Sequence, residues 1–269
     1  MSLRPRFTTS TATATAFLGV LIIAALLAPV VAPFGFDVID LAHRRGFPSP
    51  THWFGTDELG RDVLTRVLFG ARVSLAIGLI SAFTSVALGV VIGAVAGYAS
   101  RLLDDVLMRI TDAMLSVPRL PLLMIMAAVL QPRVPMLILL VGIAGWMETA
   151  RVVRSQVQSI ASLEFVQGAR AIGSSPLRVL VRHILPAIVP AASVATTLAI
   201  GRGILLESAL SFFGVGVQLP TASWGNMLYQ AQTTMSTEPW LAIFPGAFIF
   251  LTVLACNAVG DVIGPERPV

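Results

Sequence analysis

The chain has 269 residues, 56% of them hydrophobic and only 12% charged, whereas about a quarter of an ordinary soluble domain is charged. With a mean hydropathy of +0.85, this composition excludes a soluble globular enzyme and predicts an all-α, multi-pass membrane protein. All 18 basic residues are arginine, so the chain lacks the lysine that a P-loop places on the β/γ-phosphates and that Schiff-base chemistry needs. Cys256 is the single cysteine, which excludes an internal disulfide and a cysteine-rich metal site. The formal charge of +4 fits loop arginines beside a membrane and gives no argument for nucleic acid.

In chain order, six apolar segments approach the roughly 20 residues needed to cross a bilayer core: 14–31, 73–98, 114–130, 136–153, 185–208 and 241–259. Arg4 and Arg6 precede the first, as in a signal peptide. Its apolar run is long for a signal core, however, and 28–33 matches a cleavage site only loosely, so it is read as a retained anchor. The third segment is interrupted by Pro118, Arg119 and Pro121, which leaves a crossing with a snorkelling arginine or a re-entrant hairpin. Residues 131–135 join it tightly to the fourth.

Arginine asymmetry sets the expected orientation. The 150–184 segment carries Arg151, Arg154, Arg170, Arg178 and Arg182 and is expected to face the cytoplasm; the 209–240 loop has no arginine and is expected outside. Both termini then lie in the cytoplasm. Residues 32–72 go against the rule, placing Arg44, Arg45, Arg61, Arg66 and Arg72 on the outer side. The expected organisation is a cytoplasmic segment 1–13, a first span and outer loop over 14–72, a core over 73–262 with a loop at 155–184, and a tail at 263–269.

Within the outer loop, Thr56 suits a helix N-cap, with Asp57 and Glu58 in the first turn. Leu59, Val63 and Val67 then form an apolar stripe with Arg61, Asp62 and Arg66 off it, which predicts an interfacial helix ahead of the second span. Among charges near the spans, Glu148 and Arg151 read as interfacial groups capping the fourth, or alternatively as a functional pair near the inner face. Arg202 and Glu207, toward the outer end of the fifth, are candidate pathway residues or an intra-bundle ion pair; their five-residue separation does not set them squarely on one face. His43, His52 and His183 are too scattered for a metal site, and the methionines read as packing.

Two stretches carry a family resemblance. Glu164-Phe-Val-Gln167-Gly168-Ala169-Arg170-Ala-Ile-Gly173, followed by His183-Ile-Leu185-Pro186, resembles the cytoplasmic "EAA…G…I-x-LP" loop of bacterial ABC-importer permeases. Small residues at 168, 169, 171 and 173 suit a short helix in close contact with a partner, and Leu185-Pro186 is expected to end that segment and start the next span. His52-Trp-Phe-Gly-Thr-Asp-Glu-Leu-Gly-Arg-Asp-Val-Leu-Thr-Arg66, running on to Gly70-Ala-Arg-Val-Ser-Leu75, closely resembles the hallmark of C-type permease subunits of dipeptide, oligopeptide and nickel importers. The stretches 210–226 and 239–254 agree. Gln167-Gly168 departs from the usual Glu-Ala, and the tail departs from the common ending.

The resemblance implies a type I importer permease fold with a cytoplasmic coupling helix in the bacterial inner membrane. Its docking residues would be Glu164, Gln167, Gly168, Ala169, Arg170, Gly173, Leu185 and Pro186. It implies a B-type permease as heterodimer partner, one or two ABC ATPase subunits carrying ATP and magnesium, and an extracytoplasmic substrate-binding protein. The chain itself would be non-catalytic and hold no cofactor. Its cargo would be dipeptides or short oligopeptides, or alternatively nickel or another small solute. An ion-coupled carrier would instead call for midplane carboxylates or unwound half-helices, and apart from Glu207 the span interiors offer no acid.

Overall fold

A computed structural model describes residues 9–263; Arg4, Arg6 and the tail beyond Ile263 lie outside the described residues. The chain folds as α1 (Thr9–Leu26), α2 (Ala28–Val31), α3 (Val63–Tyr98), α4 (Arg101–Ser116), α5 (Arg119–Leu130), α6 (Val134–Ile143), α7 (Trp146–Ala161), α8 (Glu164–Ala171), α9 (Pro176–Val179), α10 (Leu185–Phe212), α11 (Trp224–Ala231) and α12 (Trp240–Ile263). Among the described residues four helical stretches are long and apolar enough to cross a membrane: α1, α3, α12, and α9 run together with α10. The bent pairs α4–α5 and α6–α7 raise the number to as many as six.

The bundle is organised on α3, whose 36 residues span about 54 Å. Its N-terminal half packs with α1, α11 and α12 around Val67, Ala71 and Trp224, and its C-terminal half packs with α7 to α10 around Ala94, Val153 and Val166. The second contact is close because α3 turns Gly89, Gly93 and Gly97 toward α7. A Cβ on Gly93 would stand 2.5 Å from the Ala150 carbonyl oxygen. Small residues four apart allow this approach, which in lipid is stabilised mainly by van der Waals packing.

The structure corrects several expectations. Thr56 caps no helix: its hydroxyl donates to the His43 carbonyl and accepts the Gly46 N–H. Residues 56–62 close a tight turn around Asp57, whose carboxylate accepts the Leu59 and Arg61 N–H groups at 2.9 and 3.0 Å. No separate interfacial helix forms, because α3 starts at Val63, capped by the Asp62 carboxylate on Thr65 N–H, and runs unbroken through the expected junction at 72/73. Arg61, Asp62 and Arg66, expected off the apolar stripe, are all buried. Asp57 pairs with both arginines, and Arg61 also reaches Gln230; tertiary partners override the helical stripe.

The third segment is no straight span. α5 has 12 residues, about 18 Å of helix, and meets α4 at a 79° bend where Val117 is extended ahead of Pro118, as a residue preceding proline prefers. The fourth is also broken, at Ala144–Gly145, with a 40° bend into α7. Nor does Leu185-Pro186 end a helix. Leu180–Ile184 form a π-turn in which the Leu185 N–H donates to the Leu180 carbonyl, and this widened turn carries the helix through a proline that would otherwise clash with the preceding turn.

Candidate coupling and pathway sites

α8 sits at the far end of α3 from the 32–62 loop. Val166 and Ala169 anchor it to α7, α9 and α10. Its opposite face presents Glu164, Gln167, Gly168 and Ala171, flanked by Phe165 (51% exposed) and Ile172 (85% exposed). Nothing lies within 4 Å of a Cβ built at Gly168 or Gly173. Arg170 is held over the Tyr98 ring at 4.9 Å, and the Gln167 amide donates to the Ala161 carbonyl at 3.0 Å.

The C-terminus of α8 explains Gly173. Ser174 N–H donates to the Ala169 carbonyl and Gly173 N–H to the Arg170 carbonyl, a Schellman pair that requires a left-handed residue at 173. Gly173 supplies it with φ of +83°. Its role within the chain is therefore to stop the helix, and close packing at this position is absent. Of the expected docking set, Glu164, Gln167, Gly168 and Arg170 are exposed, while Ala169 is turned into the protein. Leu185 and Pro186 begin α10, beyond the π-turn and apart from the exposed face of α8.

The charged residues are partnered differently from the sequence reading. Arg202 does not meet Glu207. It contacts Glu148, which also receives Arg119 at 3.2 Å, whereas Arg151 pairs with Asp112. Arg119, Glu148 and Arg202 line a cavity of about 480 Å³ walled by Met114, Pro118 and Ala144 among others. Glu207 is fully buried away from this cavity. Ser74 and Ser211 donate hydroxyl hydrogen bonds to it at 3.0 and 2.8 Å, and the Ser74 oxygen also accepts the Trp224 N–H. Glu207 thus joins α3, α10 and α11 as a packing group.

The family described as "binding-protein-dependent transport system inner membrane component" matches residues 89–265, a segment that includes α8 and all three cavity charges. The chain belongs to this family. The oligopeptide transport system permease protein OppC of Bacillus subtilis is 35% identical over 90% of the chain and 79% of its own length. The dipeptide permease DppC of the same organism is 37% identical over 90% and 76%. The glutathione transport system permease protein GsiD of Escherichia coli is 40% identical over 93% and 82%. Among solved structures, the inward-facing MetNI methionine ABC transporter aligns with TM-score 0.57 at 19% identity, over 75% of this chain and 98% of that one, a likeness of fold. The chain is a multi-pass membrane permease subunit, and the all-α type I permease fold expected from the sequence is the one observed.

For a permease, the sequence reading found α8 and Arg202 but missed that Arg119 and Glu148 join Arg202. The available signal was positional: Arg119 follows the Pro118 break and Glu148 follows the Gly145 break. The glycines at 89, 93 and 97 were likewise readable as a four-residue repeat.

Proposed function

We propose that this chain is the C-type permease subunit of an ATP-driven importer of short peptides. It pairs with a related B-type permease, docks one or two cytoplasmic ATPase subunits through α8, and receives cargo from an extracytoplasmic binding protein. The observation that carries this reading is the outward face of α8: a helix anchored on one side by Val166 and Ala169 and open on the other at Gly168, with Phe165 and Ile172 exposed beside it. A groove in a partner that takes an amphipathic helix would cover this face. The cargo class follows from relatives that transport oligopeptides, dipeptides and glutathione. With no lysine in the chain, phosphate chemistry falls to the partners, which bind ATP and magnesium, and this subunit is non-catalytic.

The orientation follows the arginine asymmetry, with α8 in the cytoplasm and both termini on its side. The exception in the 32–72 segment has a physical account. Arg61 and Arg66 both pair with buried Asp57, Arg45 pairs with Glu238, and the Arg44 Nε donates to the Glu58 carbonyl. These arginines brace an outer loop that packs on the 209–240 loop.

Reconstitution tests the division of labour. The purified subunit alone should turn over no ATP, and the assembly with its ATPases and peptide-loaded binding protein should couple ATP hydrolysis to peptide accumulation in proteoliposomes. Saturable ATP turnover by the contaminant-free subunit, or peptide uptake that persists without ATPase subunits, would refute the proposal.

A further inference from the structure

Two helix breaks converge on one cavity. The α4–α5 bend delivers Arg119 and the α6–α7 bend delivers Glu148, while Arg202 enters from the middle of α10. Two guanidinium groups face one carboxylate, which leaves an excess positive charge among apolar walls that include Leu205 and Leu206. A charge in such surroundings is costly unless it faces an aqueous path or a partner. Among the described residues the acids on the packed elements are otherwise placed: Asp112 is matched by Arg151, Asp104 by Arg154, Asp105 is exposed and acts on Arg154, and Glu207 is enclosed by serines.

The backbone adds to the same field. α5 and α7 both begin at the cavity, and neither has a side-chain cap on its first turn. Helix N-termini carry partial positive charge, and in discontinuous membrane helices they are aimed at anionic groups of the cargo. The cavity volume of about 480 Å³ falls within the few hundred to 1,000 Å³ of small-ligand sites.

We infer that Arg119 and Arg202 form a carboxylate-binding subsite on the translocation route, taking the C-terminal carboxylate of a short peptide in exchange for Glu148. The inference rests on the peptide-importer reading above. A guanidinium fork matches a carboxylate with two parallel N–H···O bonds. Glu148 is the built-in competitor: it neutralises the arginines between cargoes and retakes them as the cargo leaves, so binding is favourable enough for entry and weak enough for release.

The test uses the purified permease–ATPase complex without binding protein, titrated with N-acetyl-dialanine and with its C-terminal amide. Charge-assisted hydrogen bonds predict that the wild-type complex prefers the carboxylate by about tenfold or more. Arg119→Gln and Arg202→Gln should bring the ratio toward one, and Arg202→Lys should keep part of it. Glu148→Gln should tighten carboxylate binding and slow peptide uptake. Should Arg202→Gln fail to assemble, Arg202→Lys and Glu148→Gln carry the test. Equal binding of the two probes by the wild-type complex, or an unchanged preference in these variants, overturns the subsite. A preserved carboxylate preference in an importer that accumulates no peptide sinks the peptide reading and leaves the subsite standing.

Discussion

Replacing Gly93 with alanine is the sharpest probe of the α3–α7 contact. The added methyl would lie 2.5 Å from the Ala150 carbonyl oxygen, 3.1 Å from its Cα and 2.9 Å from the Val153 Cβ. Ordinary carbon contacts begin at about 3.5 Å, so the helices must part by roughly 1 Å. The obstructing atoms are backbone and a fully buried β-branched side chain, and neither can swing aside. Overpacking costs about 1–3 kcal/mol, and this site belongs at the upper end. Alanine returns about 1 kcal/mol through its better helix propensity, leaving a net loss of about 2 kcal/mol. Gly168→Ala is the control, since it gains the same propensity with nothing in its way. Equilibrium unfolding of both variants in mixed micelles makes the comparison. A Gly93→Ala protein as stable as the Gly168→Ala protein would refute the close crossing.

Three further outcomes are expected. Glu207→Ala should destabilise the subunit by about 2–4 kcal/mol in detergent unfolding, because it opens a cavity and strands the Ser74 and Ser211 hydroxyls, without changing the carboxylate-to-amide ratio; a changed ratio would return Glu207 to the pathway. Asp57→Asn leaves the buried Arg61 and Arg66 uncompensated, so it should cost about 3–5 kcal/mol and expose the 45–62 loop to protease, which limited proteolysis reads directly. In a Cys256→Ser background, an impermeant thiol reagent applied to intact cells should label Ser236→Cys and spare Ser162→Cys, both exposed positions; the reverse pattern inverts the proposed orientation. Ser223 is unsuitable as a reporter because it is the buried N-cap of α11.

The readable parts of this chain depend on local rules. Apolar runs gave the long helices because bilayer thickness fixes their length. The 164–173 stretch gave α8 and its end because a left-handed turn demands glycine. The 56–66 stretch misled because periodicity weighs a residue by its position on a helix, whereas Arg61 and Arg66 are buried by Asp57 and, for Arg61, by Gln230 from 169 residues away. Prolines at 118 and 121 announced a disturbance, but a 79° bend depends on how α5 docks against α6 and α10. Arg202 and Glu207 read as pathway residues or an ion pair, with a five-residue separation that does not set them squarely on one face. The actual partner of Arg202 comes from another helix: the Gly145 break marks the position of Glu148, but the pairing itself is set by how α7 and α10 pack.

The two sites are ends of one mechanical element. α7 starts beside the cavity with Glu148 and ends at Ala161, with two residues between it and α8, a separation of roughly 20 Å along a single helix. The glycine stripe of α3 holds α7 at backbone contact, and Arg154 fixes it to α4 through a two-point pair with Asp104 at 2.5 and 2.6 Å. α4 in turn ends at the bend before Arg119. Under the proposed function, a displacement of α8 by an ATPase subunit therefore reaches Glu148 through α7 and Arg119 through α4, separating or joining the charges that hold the cargo carboxylate. Coupling of this kind is reciprocal: a cargo that displaces Glu148 must bias the position of α8. Glu148→Gln should then change the affinity of the permease for its ATPase subunits as well as carboxylate affinity, although Glu148 lies roughly 20 Å along α7 from the α8 end.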